Sequence, residues 1–288
     1  SSWTTIPGNA FKGCMLTNVY IPAFVTEIGY KAFYQTFELT TVTFETGSQL
    51  TRIREAAFSQ SALISIILPA SLQIMDTSVF KECTYLNSVI FDANSQLNSI
   101  SNMVFHASGL TTIEVPKSVQ SIGYGSFGGC KALKTITFEA NSGLTNIQSG
   151  QTGSGLTSIH FPKSLINIDA RAFTENNNLE SVTFEAGIQL QTIKTKVFAR
   201  TALKSFIVPA SVTSIEGSAF SQSGGIASFT FEAGCSTTVT IGQYAFHGTS
   251  LLSTIDLPAS ATCAFCAGDG VSISSYCDNC GPNSVGCG

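Results

Sequence analysis

The side chains able to do chemistry are few and unevenly placed. The 288-residue chain has nine cysteines, three histidines and eighteen acidic residues. Cys263, Cys266, Cys277, Cys280 and Cys287 crowd the end, in CAFCAGDGVSISSYCDNCGPNSVGC, and Cys235 stands not far upstream. Paired C-x-x-C steps of this kind suit one tetrahedral zinc. The same six thiols also suit three disulfides, and so short a segment buries too little apolar area to fold without cross-links. Disulfides are the expected chemistry and zinc the alternative. No resident metal or cofactor is expected.

The remaining cysteines, Cys14, Cys83 and Cys130, each follow a phenylalanine in F-x-x-C. They are expected to be free and buried in turns. Thr36, Ser61, Ser108, Thr201, Ser223 and Thr249 occupy the same slot elsewhere. His106 and His247 both directly follow a phenylalanine, whereas His160 falls in a strand-like phrase. A serine nucleophile needs a base and an orienting group within hydrogen-bond reach, and no G-x-S-x-G, H-E-x-x-H or P-loop occurs. The sequence therefore points to a non-catalytic protein.

These residues are placed by a repeat. LTTVTFETGSQLTRI from Leu39 returns as LKTITFEANSGLTNI from Leu133 and as LESVTFEAGIQLQTI from Leu179. Aligned phrases begin at Leu16, Leu39, Leu63, Leu86, Leu110, Leu133, Leu156, Leu179, Leu203, Ile226 and Leu252, in steps of 23 or 24 residues until a last step of 26. Each reads L-x-x-V/I/F-x-apolar and then Pro or an acid. A second apolar phrase follows and ends in Phe, as in VTEIGYKAF and VTSIEGSAF. Rows with P-x-S alternate with rows containing F-E-A or a close variant, so the true period is a pair of rows. The row after Leu144, LTNIQSGQTGSGL, has no Phe and is expected to be a soft spot.

Such a period predicts a solenoid of about eleven short parallel strands. Turns and short irregular or 3₁₀ segments should fill the other side of each coil. Only about 17 residues separate strands, which leaves no room for the helices of an α/β barrel or doubly wound sheet. Inward residues such as Leu39, Val42 and Phe44 should form the core with the Phe column. The solenoid is expected over 1–260, with a small cysteine-rich cap or stalk over 261–288.

The motif L-x-x-I-x-x-P-x-S-V-x-x-I-G-x-x-A-F-x-x-C, matched best by LTTIEVPKSVQSIGYGSFGGC from Leu110 to Cys130, resembles the BspA-type (Treponema pallidum-type) leucine-rich repeat. The resemblance runs from about Ile6 to Pro258. It implies a leucine-rich-repeat fold, a secreted or cell-surface location and a role in adhesion. The cysteine-rich end is loosely similar to ephrin-receptor-like modules, which implies an extracellular stalk.

Three columns of each strand are expected to face outward. The first is a hydroxyl ladder that includes Thr41, Ser65, Ser88 and Thr112. The second varies most and carries the candidate binding face: Tyr20, Ile67, Ile90, Glu114, His160 and Ile207. The third alternates Pro with acids, among them Pro22, Glu45, Pro69 and Asp92. Its acids stand about 10 Å apart and are read as strand ends and solubilising charges.

Charged residues make up 11% of the chain, the net charge is −4, and Lys204 is the last basic residue. That composition argues against nucleic acid and anionic lipid as partners. No apolar run is long enough to span a bilayer. The beginning, SSWTTIPGNAF, reads as the middle of a repeat, so the chain is expected to be a mature product or a fragment. The expected partners are extracellular proteins or glycans bound through the sheet face. The alternative is a structural spacer in an extracellular coat or appendage, with possible self-assembly.

Overall fold

The computed structural model describes residues 3–233 and 239–255, with the backbone of 262–263 and 272–273. Cys235, Cys266, Cys277, Cys280, Cys287 and the thiol of Cys263 lie outside the described residues. The chain divides into two compact units. The first is Ser1–Leu144 with Gly153–Leu156, and the second is Thr145–Thr152 with Thr157–Gly288. The division falls on the row that lacks a phenylalanine.

Each unit is a stack of parallel coils, and no helix occurs among the described residues. Each complete coil contributes a four-residue strand, a two-residue strand and a long turn through the Phe column. In the first unit the short strands Thr5–Ile6, Glu27–Ile28, Arg52–Ile53, Ile74–Met75, Ser99–Ile100 and Ser121–Ile122 form one continuous parallel ladder. In the second unit Asn146–Ile147 pairs with Asn167–Ile168, and Thr192–Ile193, Ser214–Ile215 and Thr240–Ile241 pair in turn.

The four-residue strands do not form the single sheet of eleven expected from the period. In the first unit they pair two by two: Asn18–Ile21 with Thr41–Phe44, Ser65–Leu68 with Ser88–Phe91, and Thr112–Val115 with Thr135–Phe138. Ser158–Phe161 pairs with Ser181–Phe184, and Ser205–Val208 with Ser228–Phe231, in the second unit. The alternating third column supplies the reason. An acid in that column donates its backbone N–H to the row before it, as Glu45 does to Ile21 O (2.9 Å) and Asp92 to Leu68 O (2.9 Å). Proline in the next row has no N–H to donate, and the ladder lapses between Thr41–Phe44 and Ser65–Leu68, between Ser88–Phe91 and Thr112–Val115, and between Ser181–Phe184 and Ser205–Val208.

The acids have a further task that the sequence did not reveal. The Glu45 carboxylate accepts the backbone N–H of Ala23 at 2.7 Å, just after Pro22 in the preceding row. Glu139 holds Lys117 N–H (3.0 Å), Glu185 holds Lys163 N–H (2.9 Å) and Glu232 holds Ala210 N–H (2.9 Å) in the same way. Each of these four glutamates thus grips the proline row beneath it by a charge-assisted bond. Asp92 is one methylene shorter and bonds its own neighbour, Ala93 N–H, at 3.0 Å.

The row-initial leucines from Leu39 to Leu252, with Ile226, are buried. Leu16 is half-buried in the first row. Within the strands Val42 is buried and Phe44 only half-buried. The Phe column fills the wide side of the coils. In the first unit the rings of Phe11, Phe33, Phe58, Phe80, Phe105 and Phe127 stack at 5.1–5.8 Å with interplanar angles of 1–14°. In the second, Phe173, Phe198, Phe220 and Phe246 repeat the stack at 5.7–5.9 Å, and Phe206 and Phe229 wedge against it edge-on. Gln151 stands buried where the row without Phe would carry a ring, and its amide donates to Gln148 O and Ser149 O.

Two substitutions test this packing. Phe58→Ala or Phe198→Ala should cost about 3–5 kcal/mol in denaturant unfolding, because each deletes a fully buried ring. Asp92→Glu lengthens the one short acid so that it can reach Ala70 N–H. It should raise stability by about 1 kcal/mol, and an unchanged or lower midpoint would show that the grip contributes nothing there.

Candidate functional site

The second column lies where the alternation of the strands put it. Tyr20 is 60% exposed, Ile67 59%, Ile90 53% and Ile207 55%; Glu114 and His160 are also exposed. Backbone register sets Ile67 directly across from Ile90, so these two isoleucines make one apolar patch on the first unit. Tyr20 faces Thr43 in the adjoining pair of strands, and Glu114 faces Thr137. Partial desolvation, and then the adjacent Glu45 carboxylate, raise the Tyr20 phenol above its ordinary pKa. In the second unit His160 Nδ1 lies 2.8 Å from Thr183 Oγ1, and Ile207 faces Thr230. The six residues therefore divide between the units, four and two.

The third column is not uniformly outward as expected. Its acids are exposed or half-buried, whereas Pro116, Pro162 and Pro209 are buried beneath the following rows. Beside Ile67 the face dips into a hollow of about 480 Å³, walled by the turns Phe44–Ser48 and Pro69–Ser71, with Thr43, Ser65 and Asp92 on its margins. Half-buried Phe44, exposed Ile67 and a set of hydroxyls make its surface mixed rather than greasy. The repeat pattern does not display this hollow, which lies where the longer turn of an acidic row adjoins the shorter turn of a proline row.

The cysteine slot behaves as its hydroxyl counterparts do. Thr36 Oγ1 donates to Phe33 O (2.8 Å) and Thr201 Oγ1 to Phe198 O (3.0 Å). The Cys83 thiol donates to Phe58 O one row below (3.1 Å), and Cys130 to Phe105 O (2.9 Å). Asn176 serves the same slot with bonds to Phe173 O and Gln151 O. All three thiols are free, but Cys14 is exposed rather than buried. It sits in the first described coil, and the described residues include no row on its other side.

The repeat architecture is a non-catalytic scaffold, and among the described residues no group of three or more His, Cys, Asp or Glu side chains is placed to hold a metal ion. No helix among them is long and apolar enough to cross a membrane.

A family model described as "BspA type Leucine rich repeat region" matches the chain in six copies, at residues 4–134, 98–227 and 149–265. No curated protein matches it. Among solved structures, a leucine-rich repeat protein from Eubacterium ventriosum is 20% identical with a TM-score of 0.53, covering 95% of this chain and 80% of that one. The pneumococcal vaccine antigen PcpA is 21% identical with a TM-score of 0.51, covering 90% and 78%. These likenesses establish a shared fold.

Thiol labelling checks the turn geometry. Burial pushes the Cys83 thiol up to about 11 and also raises Cys130, and a protonated buried thiol is inert. Native protein at pH 8 should take alkylating reagent at Cys14 and not at Cys83 or Cys130, which should react only after denaturation. Rapid native labelling of Cys83 would contradict its placement.

Proposed function

Because the chain belongs to the BspA-type leucine-rich-repeat family, we propose that it is a secreted or cell-surface protein that binds other macromolecules, proteins or glycans, in adhesion or recognition. The observation that carries this reading is the Ile67–Ile90 patch, with Tyr20 on the same unit and a hollow beside it. A folded row gains nothing from leaving two isoleucines more than half exposed. Apolar side chains ringed by hydroxyls are what a partner can desolvate. A vaccine antigen among the similar folds agrees with surface exposure.

The low charge suits this role, since recognition then rests on shape and hydrogen bonds rather than on long-range steering. The second unit offers Ile207 and His160 as lesser contacts. The cysteine-rich stretch 261–288 would serve as a cap or the start of a stalk, tied by disulfides. The competing role, a structural spacer in an extracellular coat, needs no partner on this face.

Binding to a panel of extracellular proteins and glycans, followed by substitution, separates the two. Tyr20→Ser, Ile67→Ser and Ile90→Ser should each weaken a partner by at least about 1 kcal/mol at a critical anchor. Their melting temperatures should hold, because exposed changes usually stay within about 0.5 kcal/mol. A confirmed partner that binds all three variants normally would remove the sheet face from the account. Absence of any partner, together with end-to-end assembly, would favour the spacer.

A further inference from the structure

In the first unit the turns that lead from the Phe column into the four-residue strands alternate in length. The turns 34–38 and 81–85 are each one residue longer than the turn 59–62 between them. The short turn is therefore recessed, and a cleft of about 380 Å³ opens over Ala62. Its two flanks carry Phe37, 65% exposed, and Tyr85, 67% exposed. Two coils, about 10 Å, separate the rows that bear these rings.

One end of the cleft is polar and fixed. Gln35 Nε2 donates to Gln60 Oε1 (2.9 Å), and Gln60 Nε2 donates to Glu82 Oε2 (2.6 Å). Lys81 Nζ lies 3.4 Å from Glu82 Oε1. The Gln60 amide, and then the charge of Lys81, hold the Glu82 carboxyl below its ordinary pKa. Gln35, Gln60 and Glu82 all adopt left-handed backbone, with φ of 59–60°, so the turn itself aligns them in a file. The second unit builds a comparable file from Glu175, Arg200 and Gln222, but asparagines and glycines stand beside it in 176–178 and 224–225. The repeat alone does not require aromatic rings at this place.

Charge and hydrogen-bonding capacity select the occupant. Lys81 already offsets Glu82, so a cationic side chain would gain little. The cleft offers an amide donor at Gln60, acceptors at Glu82 and a hydroxyl at Thr84. A sugar ring presents vicinal hydroxyls that both donate and accept, and an apolar face of polarised C–H groups that the electron-rich faces of aromatic rings attract. The volume sits near the lower end of ligand pockets, about 300–1,000 Å³.

We propose that this cleft binds one or two sugar residues of a glycan, held between Phe37 and Tyr85 and hydrogen-bonded to Gln60 and Glu82. The site is independent of the strand face, so either can fail without the other.

Saturation-transfer NMR on the full chain tests it, with the methyl glycosides of glucose, galactose, mannose and N-acetylglucosamine as probes. At least one should bind. Phe37→Ser, Tyr85→Ser and Ala62→Phe, the last filling the slot from its floor, should each weaken it about tenfold or more. Tyr20→Ser should leave it unchanged. Both rings are mostly exposed, so unaltered melting curves are expected and distinguish lost binding from lost fold. No transfer from any of the four probes would overturn the proposal, as would transfer that persists in all three cleft variants. Binding of n-butylammonium in place of the sugars, abolished by the same substitutions, would also overturn it and assign the cleft to a basic side chain.

Discussion

Every coil but the one at Gln151 adds an aromatic ring to the stack of its unit, and the rest of each unit follows from that demand. A chain that turns through the Phe column has to project the ring inward and still satisfy its backbone. It does so by setting the residues two before and two after the ring in left-handed conformation, as Ala56 and Gln60 are around Phe58, or Met103 and Ala107 around Phe105. Left-handed backbone costs a non-glycine residue about 1 kcal/mol or more. The cost is offset because this geometry sends alternate N–H groups to the next coil, as Phe58 N–H to Val79 O (3.0 Å) and Gln60 N–H to Lys81 O (2.9 Å). Ring stacking and turn hydrogen bonds are therefore one device. The small donor after each ring, whether Thr36, Cys83 or Asn176, completes it by capping a phenylalanine carbonyl.

Much of this was legible in the sequence because period carries it. The spacing of Leu39, Leu63 and Leu86 identified the rows, and the steps between Phe33, Phe58 and Phe80 identified the inward column. The breaks between the four-residue strands follow the Pro–Glu alternation, which by itself looks like surface chemistry. Its meaning depends on which row supplies the N–H that Pro69 lacks, and on the reach of Glu45 to Ala23, neither of which a periodic pattern displays. Cys14 is exposed where the repeat rule expects burial, because that rule assumes a row on both sides and the described residues supply only one. The exposure of Tyr20, Ile67 and Ile90 followed from simple strand alternation. The hollow beside Ile67 and the cleft over Ala62 did not, since both lie between turns of different length in rows that the alignment treats as equivalent.

The same regularity explains where recognition can reside. A repeat fixes the inward positions and the hydrogen-bonding slots, leaving outward strand positions and turn tips free to vary. Tyr20, Ile67 and Ile90 occupy the first kind of position, and Phe37 and Tyr85 the second. Neither group is needed by the stack, and other rows hold Thr43, Thr137, Thr183 and Thr230 in the strand column and Ala62, Gly109 and Ala202 in the turn. The grip of Glu139 on Lys117, and of Glu185 on Lys163, keeps the strand ends in register without using any of these exposed side chains.

The central claim is that the ring stack with its left-handed turns is what makes the coils cooperative, and amide hydrogen exchange of the native chain tests it most directly. The turn amides of Phe58, Phe80 and Phe105 should exchange together and slowly, through opening of the whole first unit. Amides in 148–155, where Gln151 replaces a ring, should exchange much faster, through local opening. Equal protection of 148–155 and the stacked turns, or separate fast exchange at Phe58, Phe80 and Phe105, would contradict the account.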